Sequence, residues 1–309
     1  MSTAETPVRK PRARRGDGIH FAPPGHFYSP IGDRQELRAY YGSEHYRRQC
    51  DRVDAMLDYA AMLRQWPAFE AAMVAFPMAR TEGFRYYGLN NQLPYFDASI
   101  LSAMIARLNP RRIIEIGAGY SSAAMFDTID RMKAPRLTRF TTIDPDLSRI
   151  RALNPPKTAE MIAAPVQSVP VEVFAELAAG DILFIDSSHV LKTGSDVQYE
   201  YLHILPALRA GVHVHIHDIH YPFDYPRGWA VQENRSWNEV HLVDMMLTHG
   251  TDYESDFFTD AFLRRHGETI RADSGMFARF MAAPTRPFHN QSGSIWLTKR
   301  GRRGKAAKG

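Results

Sequence analysis

From residue 34 to about 66 the chain is rich in helix formers, with Tyr40, Tyr41, Met56, Leu57 and Leu63 among its apolar positions and no proline. This spacing predicts helix, and a second helical stretch is predicted near 68–74, before Pro77. Asn91-Gln92-Leu93-Pro94 breaks the pattern, and Asp97 is predicted to N-cap the helix ASILSAMIARL, which stops at Asn109-Pro110. Beyond that point short apolar runs alternate with helical segments, the signature of a parallel sheet. Strands are predicted at 112–116, 139–143, 161–164, 181–185 and 212–216, with helices from about 121 and at 171–178, 197–208 and 237–248. Residues 251–263 read as a sixth strand and 293–299 as a seventh. The fold class expected is α/β: a doubly wound, mostly parallel seven-stranded sheet behind a helical N-terminal extension over 19–94.

The first strand runs into RRIIEIGAGY, an apolar run that ends in Glu115 and then places Gly117 and Gly119 one residue apart before Ser121, Ser122 and a helix. Strand, tight turn and helix in that order turn the helix's free N–H groups toward a ligand. A dinucleotide-binding turn would carry a third glycine at 122, where this chain has Ser122. Two further strands end in acids, TTIDPD in Asp144 and DILFIDSSH in Asp186. Ligands of open α/β sheets sit just beyond such strand ends, and an acid at the second strand binds ribose hydroxyls.

Glu-x-Gly-x-Gly resembles the first motif of class I S-adenosylmethionine-dependent methyltransferases, and the resemblance covers about 97–299 within a domain expected over 95–299. It implies a Rossmann-like fold whose last two strands pair antiparallel. It also implies S-adenosylmethionine as cofactor: Gly117 and Gly119 at its methionine portion, Glu115 orienting the loop or accepting from the amino group, Tyr120 flanking, and Asp144 on the ribose. Gln167 and Ser168 follow the third strand where such enzymes contact adenine, and Asp186 closes the cofactor set.

Methyl transfer to a hydroxyl needs alignment and removal of a proton. His189 follows Asp186 by three residues, and its imidazole is a candidate base. The segment resembles metal-dependent O-methyltransferases of the catechol type, where a strand-four aspartate binds metal and the residue three further on, a lysine there, is the base. Asp218, at the end of the histidine-rich fifth strand VHVHIHD, matches their second metal aspartate, but Ile219 stands where they carry an asparagine ligand. Macrolide-sugar O-methyltransferases place an acid just before that aspartate, and here the position is His217. Asp186, His217 and Asp218 are thus the candidate ligands of a divalent metal, with a hydrogen-bonded polar pocket as the alternative. Asp186, His189 and Asp218 are the candidate catalytic residues. His213 and His215 read as core or interface, and His220, Tyr221, Phe223, Asp224, Tyr225 and Arg227 as a substrate lid.

Bulk properties change this picture little. The 309 residues are 44% hydrophobic, ordinary for a globular protein. The net charge of +4 comes from the ends: residues 1–18 and 299–309 hold eleven basic against two acidic side chains, which leaves the body near −5. An acidic body argues against a nucleic-acid surface on the fold. The tails, taken as 1–18 and 300–309, are expected to be disordered, with weak contacts to RNA or lipid as their functional reading. One cysteine, Cys50, no apolar run of membrane-spanning length and no secretory leader favour a cytoplasmic protein without membrane insertion. The resemblance implies a small-molecule acceptor, and a homo-oligomer stays open. Two alternatives stay open: an NAD-dependent oxidoreductase, and a non-catalytic protein of this fold that holds an anionic partner.

Overall fold

In a computed structural model that describes residues 21–156, 159–273 and 292–301, the alternation of apolar runs resolves into eleven helices and seven strands among the described residues. In chain order these are α1 (Arg34–Tyr41), α2 (Glu44–Met56), α3 (Tyr59–Ala72), α4 (Tyr95–Leu108), β1 (Arg112–Ile116), α5 (Tyr120–Arg131), β2 (Arg139–Ile143), α6 (Ser148–Ala152), β3 (Ala159–Ile162), α7 (Val171–Ala175) and β4 (Ile182–Ile185). Then come α8 (Asp196–Tyr199), which passes through a π-helical turn (Glu200–Ile204) into α9 (Leu205–Ala207), β5 (His213–His217), α10 (Glu239–His249), β6 (Tyr253–Phe258), α11 (Thr259–Asp273) and β7 (Ser294–Lys299). The described residues form two compact units, one within Met1–Arg47 with Pro226–Ser236 and one within Arg48–Tyr225 with Trp237–Gly309. In the smaller unit Asp33 caps α1 by accepting from the Gln35 and Glu36 N–H groups, and Arg235 lies 4.2 Å over the Trp229 ring.

The larger unit holds the sheet, in the order β3-β2-β1-β4-β5-β7-β6. The first five of these strands pair in parallel, and β7 runs antiparallel to both β5 and β6. This confirms the doubly wound, mostly parallel arrangement with an antiparallel pair. Every residue of β4 is buried, as are the last four of β1, which is why both read as continuous apolar runs instead of alternating ones. Strand order reverses at β1 and β4, so the crevice for a ligand opens beyond their carboxyl ends.

Several elements differ from expectation for local physical reasons. The predicted sixth strand stops at Phe258, where the period changes: Ala261, Phe262 and Ile270 are buried at helical spacing and belong to α11. Helix α3 continues through Pro67, held by Trp66 stacked 6.0 Å from Phe96 and 5.5 Å from Phe262. The segment expected as a lid packs inward, with His220, Phe223 and Tyr225 buried and Phe223 stacked 5.2 Å from Phe258. Of the tails, only Arg300 and Gly301 lie among the described residues; Arg300 pairs with Glu254 at 2.8 Å. No helix of the described residues is long and apolar enough to cross a membrane.

Asp97 has a different duty from the predicted cap. Pro94 precedes the first turn of α4, and the Asp97 carboxylate accepts from Ser292 Oγ (2.8 Å), Gly293 N (3.0 Å) and Ser294 Oγ (2.6 Å), tying the helix to the start of β7. Asp97→Ala strands three buried donors and is expected to destabilise the fold by about 2–4 kcal/mol, read as a lower urea midpoint. A midpoint unchanged from wild type would show that β7 needs no such tie.

Candidate active site

The turn after β1 is fixed by its neighbours on both sides. Gly117 N donates to Ile143 O at the end of β2 (3.0 Å), and Asp186 N donates to Ile116 O (2.9 Å). Gly117 has φ +83°, and a Cβ there would overlap the carbonyl oxygen of Asp186, so only glycine fits. Glu115, fully buried, accepts from Ser121 Oγ (2.8 Å) and Ser122 Oγ (2.7 Å) at the start of α5. The hydroxyl at 122, where a dinucleotide turn has glycine, is therefore committed to the loop itself. Asp144 Oδ2 accepts from Ala118 N (2.9 Å) and Oδ1 from Asp146 N (2.7 Å), bracing the same turn from β2.

A cleft of about 430 Å³ lies at the switch point, lined by Gly117, Ile143, Asp144, Val166, Gln167 and Asp186, with Ser188 and Lys192 in its outer wall. Gly117, Asp144, Gln167 and Asp186 thus meet in one cavity. Glu115 stays behind it as a brace. Ser168 turns its hydroxyl back to Pro165 O (2.8 Å) and does not line the cleft. Gly119 and Tyr120 border a separate pocket.

Beside the cleft, the ends of β4 and β5 bring His189, Asp186 and Asp218 together. Both His189 (φ +59°) and Asp218 (φ +54°) adopt left-handed backbone, a strained conformation for residues with a Cβ and one that clusters at functional sites. His189 Nε2 stands 3.5 Å from Asp186 Oδ1 and 3.5 Å from Asp218 Oδ2, and Nδ1 lies 2.8 Å from Glu239 Oε2. Burial disfavours the imidazolium, but Asp186, Glu239 and Asp218 outweigh it and hold His189 well above the ordinary histidine range. Burial likewise opposes the charge on Asp186, yet the charges of His217 and His189 keep its carboxyl below the usual value.

The Asp186, His217 and Asp218 metal set is not assembled. Among the described residues no group of three or more His, Cys, Asp or Glu side chains is arranged to hold a metal ion. The His189 imidazole fills the space between the two aspartates, His217 Nε2 lies 3.6 Å from Asp218 Oδ1, and the next residue, Ile219, is buried and offers no donor.

Sequence reading missed Glu239. It is fully buried at the start of α10, fifty residues from His189, and its second oxygen accepts from Tyr201 Oη at 3.0 Å. The Asn238 and Glu239 N–H groups donate to His189 O (3.1 and 3.2 Å), and Trp237 packs 4.7 Å from the imidazole. The available signal was a lone acid opening an otherwise apolar helix face, which by itself points nowhere.

Residues 114–219 match the profile of a family described as a methyltransferase domain. An uncharacterized protein of Archaeoglobus fulgidus is 29% identical over 164 residues, 50% of this chain and 73% of that one. Among solved structures, the chain is similar to the O-methyltransferase TomG from Streptomyces achromogenes in complex with SAM, at 15% identity over 69% of this chain and 83% of that one, TM-score 0.44. It is also similar to an O-methyltransferase from Bacillus cereus in complex with SAH, at 14% identity over 69% and 84%, TM-score 0.37.

Burial pushes Glu115 up to about 8 from 4.5, against the lowering effect of the Ser122 and Ser121 hydroxyls. A folded-state value above the unfolded one means that the folded chain holds the proton longer. The stability tied to it is complete below about pH 4.5 and is lost progressively as pH rises to about 8. Between pH 5 and 8.5 the wild-type Tm is expected to fall relative to Glu115→Gln, by the equivalent of a few kcal/mol on the order-of-magnitude scale of one pKa unit per 1.4 kcal/mol. Parallel Tm curves for the two proteins would contradict a buried neutral Glu115.

Proposed function

We propose, from the premise that the chain carries a class I S-adenosylmethionine-dependent methyltransferase domain, that it O-methylates a small hydroxylated molecule such as a sugar or tailored natural product. The observation that carries this reading is the meeting of Asp186, His189 and Asp218 at the ends of β4 and β5, beside a cleft walled by Gly117 and Asp144. S-adenosylmethionine, when bound, supplies an electrophilic methyl group on a sulfonium. The residues of the cleft suit it: backbone free of a side chain at Gly117, a strand-end carboxylate at Asp144 for ribose hydroxyls, and the Gln167 carboxamide for an adenine edge.

For the acceptor, His189 is the proton-handling group. Glu239 accepts from Nδ1, which fixes the tautomer and leaves Nε2 to face Asp186, Asp218 and an incoming hydroxyl. The carboxylates raise the proton affinity of Nε2, so the captured proton is stabilised. They also confine the neutral base to the alkaline side, and turnover is expected to climb as pH rises from 7 through the elevated His189 value.

Calorimetry with S-adenosylhomocysteine tests the cofactor assignment: Asp144→Ala is expected to weaken binding roughly tenfold or more, the loss of charge-assisted hydrogen bonds. No binding by the wild-type chain would sink it. His189→Ala is expected to depress turnover roughly 10²- to 10⁴-fold with the cofactor still bound. Near wild-type turnover in that variant would remove His189 as the base and leave the cofactor assignment standing.

A further inference from the structure

The smaller unit holds the three most exposed large apolar side chains among the described residues: Phe21 is 89% exposed, Phe27 79% and Tyr28 65%. Single exposed apolar residues are ordinary, but these three are gathered into one cluster. The Phe27 and Tyr28 rings lie 4.2 Å apart, Phe21 lies 6.1 Å from Tyr28, and the His26 imidazole stacks 4.4 Å from Phe27. The turn beneath them is closed by its own backbone. Gly25 N donates to Ile31 O (2.9 Å), His26 N to Pro23 O (3.1 Å) and Ser29 N to His26 O (2.7 Å). Tyr28 N donates to His26 Nδ1 (3.1 Å), and Ile31 N to Ser29 Oγ (3.1 Å). Gly25 supplies the reversal with φ +81°, a left-handed conformation that side chains disfavour. The turn thus satisfies its polar groups internally and leaves its rings in water, where apolar area adds nothing to the fold's stability.

The sequence just before the cluster supplies charge. Between residues 9 and 20 stand Arg9, Lys10, Arg12, Arg14 and Arg15, against Asp17 as the one acid. A run of cations adjoining exposed aromatic rings is complementary to an anionic bilayer: the cations are drawn to the headgroups, and the rings enter the boundary between headgroups and acyl chains. Nucleic acid also combines cations with aromatic rings, but there the bases stack on open ring faces. Here His26, Phe27 and Tyr28 lie against one another, with interplanar angles of 26° and 43° across the two contacts to Phe27, so their faces are already in use. We propose that the aromatic turn at 21–28 and the basic segment at 9–15 together form a peripheral docking surface for an anionic lipid bilayer. It rests on the membrane and spans nothing. The inference goes beyond the methyltransferase reading and does not depend on it.

The test is co-sedimentation of the full chain with phosphatidylcholine vesicles containing about 30% phosphatidylserine, and with vesicles of phosphatidylcholine alone, at low and raised salt. Three proteins are compared: wild type, a ring variant (Phe27→Ser with Tyr28→Ser) and a charge variant (Arg9, Lys10, Arg12, Arg14 and Arg15 each to Gln). Wild type is expected to bind the anionic vesicles, to lose affinity as salt rises and to leave neutral vesicles in solution. The ring variant is expected to bind roughly tenfold more weakly or worse, because two large apolar side chains no longer leave water. The charge variant is expected to lose at least about 10²-fold, since each cation near an anionic surface contributes separately. Phe21→Ser, which touches no hydrogen bond of the turn, gives the same direction of change and keeps the test decisive if the double variant misfolds. Absence of anionic-vesicle binding by wild type overturns the proposal, as does binding that Phe21→Ser and the ring variant both retain in full, because the basic segment would then act alone. If vesicles are not bound, loss in the ring variant of binding to a single-stranded RNA, or of self-association in sedimentation velocity, would give the surface to nucleic acid or to a second copy of the chain, and either result overturns the membrane assignment.

Discussion

The carbonyl oxygen of Asp186 occupies the space that any side chain on residue 117 would need, and the rest of the site is built around that contact. It lets the end of β1 lie against the end of β4 closely enough for Asp186 N to bond Ile116 O, while Gly117 N reaches across to β2. Three strand ends are thereby locked to one turn. The acids at the first two ends then act as braces: Glu115 through two serine hydroxyls, Asp144 through the Ala118 N–H. With its backbone held in this lock, Asp186 has its carboxylate delivered to the cleft and to His189 at once.

Electrostatics along β5 show burial and charge deciding in opposite directions within two residues. His215 stacks 4.1 Å from Phe184, and burial, reinforced by the charge of His217, drives its pKa well below the ordinary value. His217 is equally enclosed, yet Asp186 and Asp218 overcome the same burial and raise it. The apolar sheet core therefore ends abruptly, and the charged cluster begins one side chain further along the same face. His189 and Asp218 flank that boundary in left-handed backbone, so two strained residues stand where the carboxylates and imidazoles converge.

What the sequence made legible was local. β1 and β2 have the predicted bounds because a parallel strand buried on both faces is a short apolar run with polar ends. The Gly117 turn was readable because its chemistry is compressed into ten residues. Less visible was anything set by distant partners. Asp97 has the composition of a cap but is claimed by Ser292, Gly293 and Ser294. The metal expectation treated Asp186 and Asp218 as free ligands, and nothing in their spacing announced that an imidazole would stand between them, held from behind by Glu239. α11 was hidden because FFTDAFL satisfies a strand pattern until its helical period emerges past residue 262.

The strand order carries a consequence for how the molecule is made. β7 is the last strand of the described residues, yet it sits inside the sheet, with β5 on one side and β6 on the other. A ribosome delivers β5 and β6 first, and until residues 294–299 emerge both present unpaired edges that have no partner in one another. A nascent or truncated chain lacking that single segment would thus expose two open strand edges, and its hazard would be cross-pairing with other chains.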